Sequence, residues 1–301
     1  MRWLLMVGVC AVLNAMMCNG ACGFAPDERV VVIRPVELQR EGAPAVPLTA
    51  GTILKVEADL GDRLRVAVQR IGTVESSAVL GASKADAHFT ALIEANPKDA
   101  TAWAARGKLR FSNGDKSRAI ADFDRVIELS PTAEALTLRG FAWKRNGDPQ
   151  KAMADLNRAI ELDPTFALAW RVRGATWAAE GDYQKAKAHY TESIRLDPDN
   201  PESLHHRAVL LSCCMVDDIR DGQQALTDAT KACEVTEWKD PLFLAGLAFA
   251  YAELGDFDNA VTWQTKVVKM GGFGEDRLLL FKQKKPSRVS WQKAPTKPSP
   301  P

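Results

Sequence analysis

His205, His206, Cys213 and Cys214 are the residues of this 301-residue chain whose types and spacing come nearest to reactive chemistry. Spacings of seven and eight return to one face of an α-helix, and imidazole with thiolate is a donor set that zinc accepts. A zinc site, however, needs about four ligands converging on one point. Adjacent His-His and Cys-Cys pairs point in different directions, so the expected reading is buried small cysteines and surface histidines, with no metal. A disulfide between Cys233 and either Cys213 or Cys214 is the other chemistry on offer, provided that the helices carrying them run antiparallel. A redox or metal protein using the Cys-Cys segment is the alternative reading of these residues.

Other chemistries are poorly represented. The chain has four histidines and carries no Gly-rich phosphate loop, no HExxH pair and no credible Ser-His-Asp set. No enzyme and no cofactor are expected. A composition of 39 basic and 38 acidic residues argues against a protein built mainly to coat nucleic acid. Its Trp and Phe stripe has helical repeat spacing, which suits a core better than a platform for stacked bases. At 46% hydrophobic residues the chain is not globally disordered. The near-neutral total conceals an asymmetry. Residues 277–301 hold seven basic groups and no acid, and residues 24–276 hold 31 basic against 38 acidic groups.

One polar pattern recurs. Arg106, Arg139, Arg173 and Arg207 form a column, and Asp122, Asp155 and Asp228 recur downstream of three of them. At the equivalent places a later segment has Leu247 and Trp263, so the Arg and the acid disappear together. That joint change predicts an ion pair between two helices of one unit, with a ligand-binding stripe as the alternative. Arg173 departs from the pattern and is expected opposite His189.

The elements that must position these residues follow from self-similarity. Gly107, Gly140 and Gly174 are spaced by 33 and 34 residues, and Gly114, Gly147 and Gly181 repeat both intervals. Ala119, Ala152 and Ala186 do the same, as do Pro131, Pro164 and Pro198. The first glycine of each unit lets two helices approach. The Gly-Asp pair ends a first helix and turns the chain, and the proline stops the second helix. Phe123, Leu156 and Tyr190 fill the space between helices. This pattern resembles the tetratricopeptide repeat. The resemblance implies helix-turn-helix units at 100–132, 133–166, 167–200, 201–236 and about 241–271, in a right-handed superhelical solenoid. Residues 83–99 match a lone second helix, and 272–284 are expected to cap the array. From 285 to 301 a basic, Pro-rich, disordered tail is expected, able to contact an anionic surface, an acidic partner or the body itself.

The first 23 residues read as a secretory signal peptide, with Arg2, an apolar run from Trp3 to Met17 and small residues to Gly23. An uncleaved anchor and a lipid attachment at Cys22 are the alternatives. Export, to a periplasmic or extracellular place, is expected. Residues 24–82 differ in texture, with β-branched runs separated by Gly and Pro. The stretch from Leu48 to Leu80 resembles a bacterial SH3-like domain, which implies a small β-barrel. Between Asp27 and Leu80 there is no Phe, Trp or Tyr to line a peptide groove. A packing module that caps or spaces the helices is therefore expected, and a module for cell-envelope polymer or an enzyme accessory is the alternative.

In tetratricopeptide proteins partners usually lie on outward residues of first helices. The resemblance maps that face onto Lys108, Phe111, Thr137, Phe141, Lys144, Arg145, Arg171 and His205. The implied function is a scaffold or assembly factor that binds a partner peptide or helix, with no nucleic-acid partner. Ala104 and Lys108 stand where carboxylate-clamp members of the family carry Lys and Asn, so that specialised use is not expected.

Overall fold

The computed structural model describes residues 29–33, 36–40, 43–48, 50, 52–59, 63–67, 71–75, 79–272 and 274–289. The expected signal peptide and residues 290–301 of the expected tail lie outside them. The chain divides into two compact units, residues 1–147 and 148–301.

The first unit opens with seven antiparallel strands: β1 (Arg29–Val32), β2 (Val36–Arg40), β3 (Ala43–Leu48), β4 (Ile53–Asp59), β5 (Arg63–Ala67), β6 (Ile71–Glu75) and β7 (Val79–Gly81). Their order is β3-β2-β6-β5-β4-β1-β7, with Val31 opposite Ile53 on one side and Leu80 on the other. Alternate residues serve two cores. Val30, Val32, Leu38, Leu48, Leu54, Val56, Leu64 and Val66 form one. Strands distant in the order share that core, so the sheet curls over itself. Val31 joins Ala50, Ala85, Phe89, Ala105 and Leu109 in the second, with Ile33, Ile53 and Leu80 at its margin. The apolar run Val30-Val31-Val32 is thus buried on both faces of β1.

Among the described residues of this unit four helices follow: α1 (Ala82–Ala95), α2 (Ala100–Ser112), α3 (Lys116–Leu129) and α4 (Ala133–Asn146). Because the sheet's second face is apolar, it packs directly on α1 and α2. Sheet and helices make one body where the sequence suggested a boundary near residue 82. Phe89 and Leu109 are fully buried at this junction.

The second unit contains α5 (Pro149–Leu162), α6 (Ala167–Glu180), α7 (Tyr183–Leu196), α8 (Pro201–Cys213), α9 (Gly222–Val235), α10 (Pro241–Glu253), α11 (Phe257–Lys269) and α12 (Glu275–Lys282). Hairpins α6–α7, α8–α9 and α10–α11 pack along their lengths. An α-carbon hydrogen is all that fits at the closest approaches. A methyl group on Gly107 would stand 2.6 Å from Phe123 Cε1, and one on Gly174 would stand 2.9 Å from Tyr190.

The turns use each Gly-Asp pair twice. Gly114, Gly181 and Gly255 have φ of +86°, +86° and +80°, the left-handed conformation that releases the first helix. The next residue caps the second helix: Asp115, Asp182 and Asp256 accept the backbone N–H of Arg118, Lys185 and Asn259. Hydrogen bonds to their anionic form hold the Asp182 and Asp256 carboxyls below the ordinary range. Each opening tryptophan is also anchored, Trp103 Nε1 donating to the Pro97 carbonyl and Trp170 Nε1 to that of Pro164.

The α8–α9 connection is longer, with a 3-10 turn at Asp217–Ile219. Ile219 is buried with Ala178, Ala186, Tyr190, Leu210 and Cys214, so the extra residues are tied to the core. The expected tail also starts later than residue 285. Ser287 is buried, and Val289 pairs with Cys214 in a parallel bridge. No described helix is long and apolar enough to cross a membrane.

Candidate partner-binding surface

The first-helix faces begin in the first unit with α2 and α4. Phe111 and Phe141 come together across these helices, their ring centroids 5.0 Å apart at 49°. Both are half-buried, so a continuous aromatic surface remains accessible. On the same two helices, Thr101, Ala104, Lys108, Glu134, Ala135 and Leu138 line a cavity of about 210 Å³, with Phe123 and Val126 of α3 also lining it. Lys108 Nζ lies 2.8 Å from Glu134 Oε1, which neutralises the lysine within the surface. Lys144 is half-buried and Arg145 exposed. Thr137 does not belong to the accessible set. It is fully buried, and its hydroxyl donates to the Ala133 carbonyl at 2.7 Å, as a small hydroxyl in a helix interior commonly does.

In the second unit, Arg171 and His205 are half-buried. Burial lowers the Arg171 pKa, opposed by Glu202 and Tyr190. His205 offers no charge. Burial, then the neighbouring His206, pushes its pKa down to about 3. Its ring packs edge-on against Phe243 at 5.6 Å, and Nδ1 lies where a Gly246 methyl group would be 2.7 Å away. It is a packing residue, seated by a glycine on α10. A cavity of about 200 Å³ adjoins it, lined by Ala178, Tyr190, His206, Val209 and Leu210.

The arginine column is an ion-pair device in two described hairpins. Arg106 Nε and Nη2 reach both Asp122 oxygens at 3.1 and 2.8 Å. Arg207 holds Asp228 at 2.7 and 2.8 Å. Where the pair is lost, Leu247 is buried in a cluster that includes Trp263, so apolar contact replaces charge. Sequence reasoning missed a second function of the column. Arg106, Arg173 and Arg207 also reach Thr90, Asn157 and Thr191 on the preceding second helix, each 16 residues upstream. That recurrence was the available signal. The pairing of Arg173 with His189 is not found. Arg173 lies over the Trp170 ring at 4.6 Å, and His189 is kept neutral with a pKa near 4, by burial and then by repulsion from Arg173.

The cysteine chemistry does not assemble either. Cys213, Cys214 and Cys233 are free and buried. Burial pushes the Cys213 thiol up to about 11 and Cys233 to about 12, so both stay protonated. Cys214 packs among Ala178, Tyr190 and Leu210, and Cys233 belongs to a different cluster with Leu204, Ala229 and Leu244. Among the described residues no group of three or more His, Cys, Asp or Glu is placed to hold a metal.

Family models described as tetratricopeptide repeat match residues 82–134, 133–166, 167–200 and 243–270. No curated protein matches the chain. Among solved structures, the chain is similar to PilW, a type IV pilus biogenesis factor, with 20% identity and TM-score 0.55 over 66% of this chain and 89% of that one. It is similar to the Cut9-Hcn1 hetero-tetramer of the APC/C with 17% identity and TM-score 0.59, over 67% of this chain but only 40% of that one. A tetratricopeptide repeat protein from Parabacteroides merdae gives 16% identity and TM-score 0.50, over 67% and 78%. At these identities the likeness is one of fold. The α8–α9 hairpin, at 201–235, carries the same Arg-Asp bridge as the matched α2–α3 hairpin. Residues 82–200 and 243–270 of this chain are tetratricopeptide repeats, the structural unit of protein-binding scaffolds.

Proposed function

We propose that this protein is a non-enzymatic scaffold or assembly factor that captures a peptide or helix of a partner protein on its first-helix faces. The accessible Phe111–Phe141 pair, on the two helices that also line the 210 Å³ cavity, carries this reading. An aromatic pair supplies large contact area, and Lys144 and Arg145 add positive charge at its margin for an acidic element of the guest. In this reading residues 1–23 export the chain. The curled N-terminal sheet is an SH3-like unit used as a cap, consistent with its second face being covered by α1 and α2.

A pull-down from the envelope fraction tests the proposal. Replacing Phe111, Phe141 and Arg145 by alanine is expected to lower partner recovery about tenfold or more, the effect of losing central anchors. Full recovery of every partner by this variant would remove the surface from consideration.

A further inference from the structure

We propose that the C-terminal ends of α8 and α10 form a docking site for an extended, arginine-bearing segment of a partner protein, which the chain's own residues 286–289 occupy until displaced. This deepens the scaffold reading by naming a partner class, at residues separate from the α2 and α4 surface.

The site is built from backbone and charge together. Val289 N–H donates to the Cys213 carbonyl at 2.9 Å, forming the parallel bridge between Val289 and Cys214. Arg288 Nη1 lies 2.7 Å from Glu253 Oε2 and 3.3 Å from the Ser212 carbonyl. Ser287, just before it, is 4% exposed, so the site accepts only a small side chain there. This is strand-like recognition: main-chain pairing holds the guest, and side-chain positions select it.

The receiving groups are held independently of the guest. Arg220 Nε donates to Glu253 Oε1 at 2.8 Å, and its Nη1 donates to the Cys214 carbonyl at 2.9 Å. Asp217 lies 2.7 Å from the same guanidinium, and Asp217 and Asp218 are exposed at the rim. A pre-set carboxylate with an acidic rim and a main-chain acceptor suits a cationic extended segment. The internal guest is weakly held by comparison. Its hold is one described backbone hydrogen bond, a 3.3 Å hydrogen bond from Arg288 to the Ser212 carbonyl, and an ion pair whose arginine is 32% exposed, and pairs at such exposure are worth little. A partner segment of the same chemistry can therefore compete with it.

The probe is a labelled hexapeptide copying residues 285–290, Lys-Pro-Ser-Arg-Val-Ser, titrated against the full-length chain. Arg288→Ala loosens the internal segment and is expected to raise peptide affinity about tenfold over wild type. Adding Glu253→Gln to that variant, or replacing the peptide's arginine by alanine, is expected to abolish the gain. Equal binding by wild type and R288A, or binding that survives E253Q, overturns the proposal. A second measurement needs no variant. The Val289 N–H is bonded to the Cys213 carbonyl only while the chain's own segment is seated. Saturating peptide is expected to displace the chain's own segment, speeding hydrogen exchange of its Val289 amide about tenfold by mass spectrometry while leaving the α9 amides unchanged. No change at the Val289 amide overturns the proposal even if R288A fails to fold. A wild-type dimer that disappears in R288A would assign the site to a second copy, overturning the partner assignment. Partner loss on substituting Phe111 and Phe141, with no peptide binding, would leave the scaffold reading standing and remove this one.

Discussion

His205 shows how one residue changes meaning once its neighbours are known. On a first-helix face a histidine is an obvious polar contact for a guest, yet here Gly246 and Phe243 receive the ring and keep it neutral. His189 is held neutral too, by burial and by Arg173, with Asp182 opposing and Lys185 reinforcing the effect. Both folded pKa values, near 3 and 4, lie below the unfolded value of about 6.5. Between those limits the unfolded chain binds more protons, so stability rises with pH and is lost as pH falls below about 6.5. Each ring contributes at most about 1.4 kcal/mol per pH unit. Thermal melts between pH 6.5 and 5, above the main carboxylate titration, are expected to show this decline. His205→Gln should make it shallower, and an unchanged slope would show that His205 is not held neutral.

At the scale of elements, the two helices of a hairpin are joined by a charge pair that neither could bury alone. Asp228 is 2% exposed, faces Arg207 and also accepts from Gln224. Removing the acid leaves a shielded guanidinium without its partner, so Asp228→Ala is expected to destabilise by about 3 kcal/mol in urea unfolding. The double change Arg207→Leu with Asp228→Leu should cost less than D228A, because the α10–α11 hairpin meets the same need with Leu247 and Trp263. A double variant worse than the single one would mean that the bridge contributes more than relief of a buried charge. The repeat's paired losses made this bridge legible before any coordinates. The N-cap function of Asp115, Asp182 and Asp256 was less so, because one Gly-Asp dipeptide performs two tasks and spacing alone shows only the turn.

For the first unit as a whole, the sheet takes over the work of a missing helix. Its apolar second face covers Ala85, Phe89, Ala105 and Leu109, which would otherwise begin the array as an open hydrophobic end. Stacked repeats need such an end covered to remain soluble. A variant lacking residues 29–81 is therefore expected to melt earlier and to self-associate in sedimentation experiments, whereas Phe89→Ala in the intact chain should cost about 3–5 kcal/mol. A monomeric truncated chain with an unchanged melting point would show that the sheet is an independent module.

The sequence by itself determined the helical hairpins, their glycine contacts and the charge pairs, because each depends on residues within one 33- or 34-residue period. Local spacing carries that information. The fate of Thr137 and His205, the union of sheet with α1 and α2, and the docking of residues 286–289 were decided only by the tertiary structure. All depend on groups far apart in the chain, as when Val289 reaches the carbonyl of Cys213. A solvated basic tail and a docked strand have the same composition, and only the acceptor and the carboxylate waiting at α8 and α10 distinguish them.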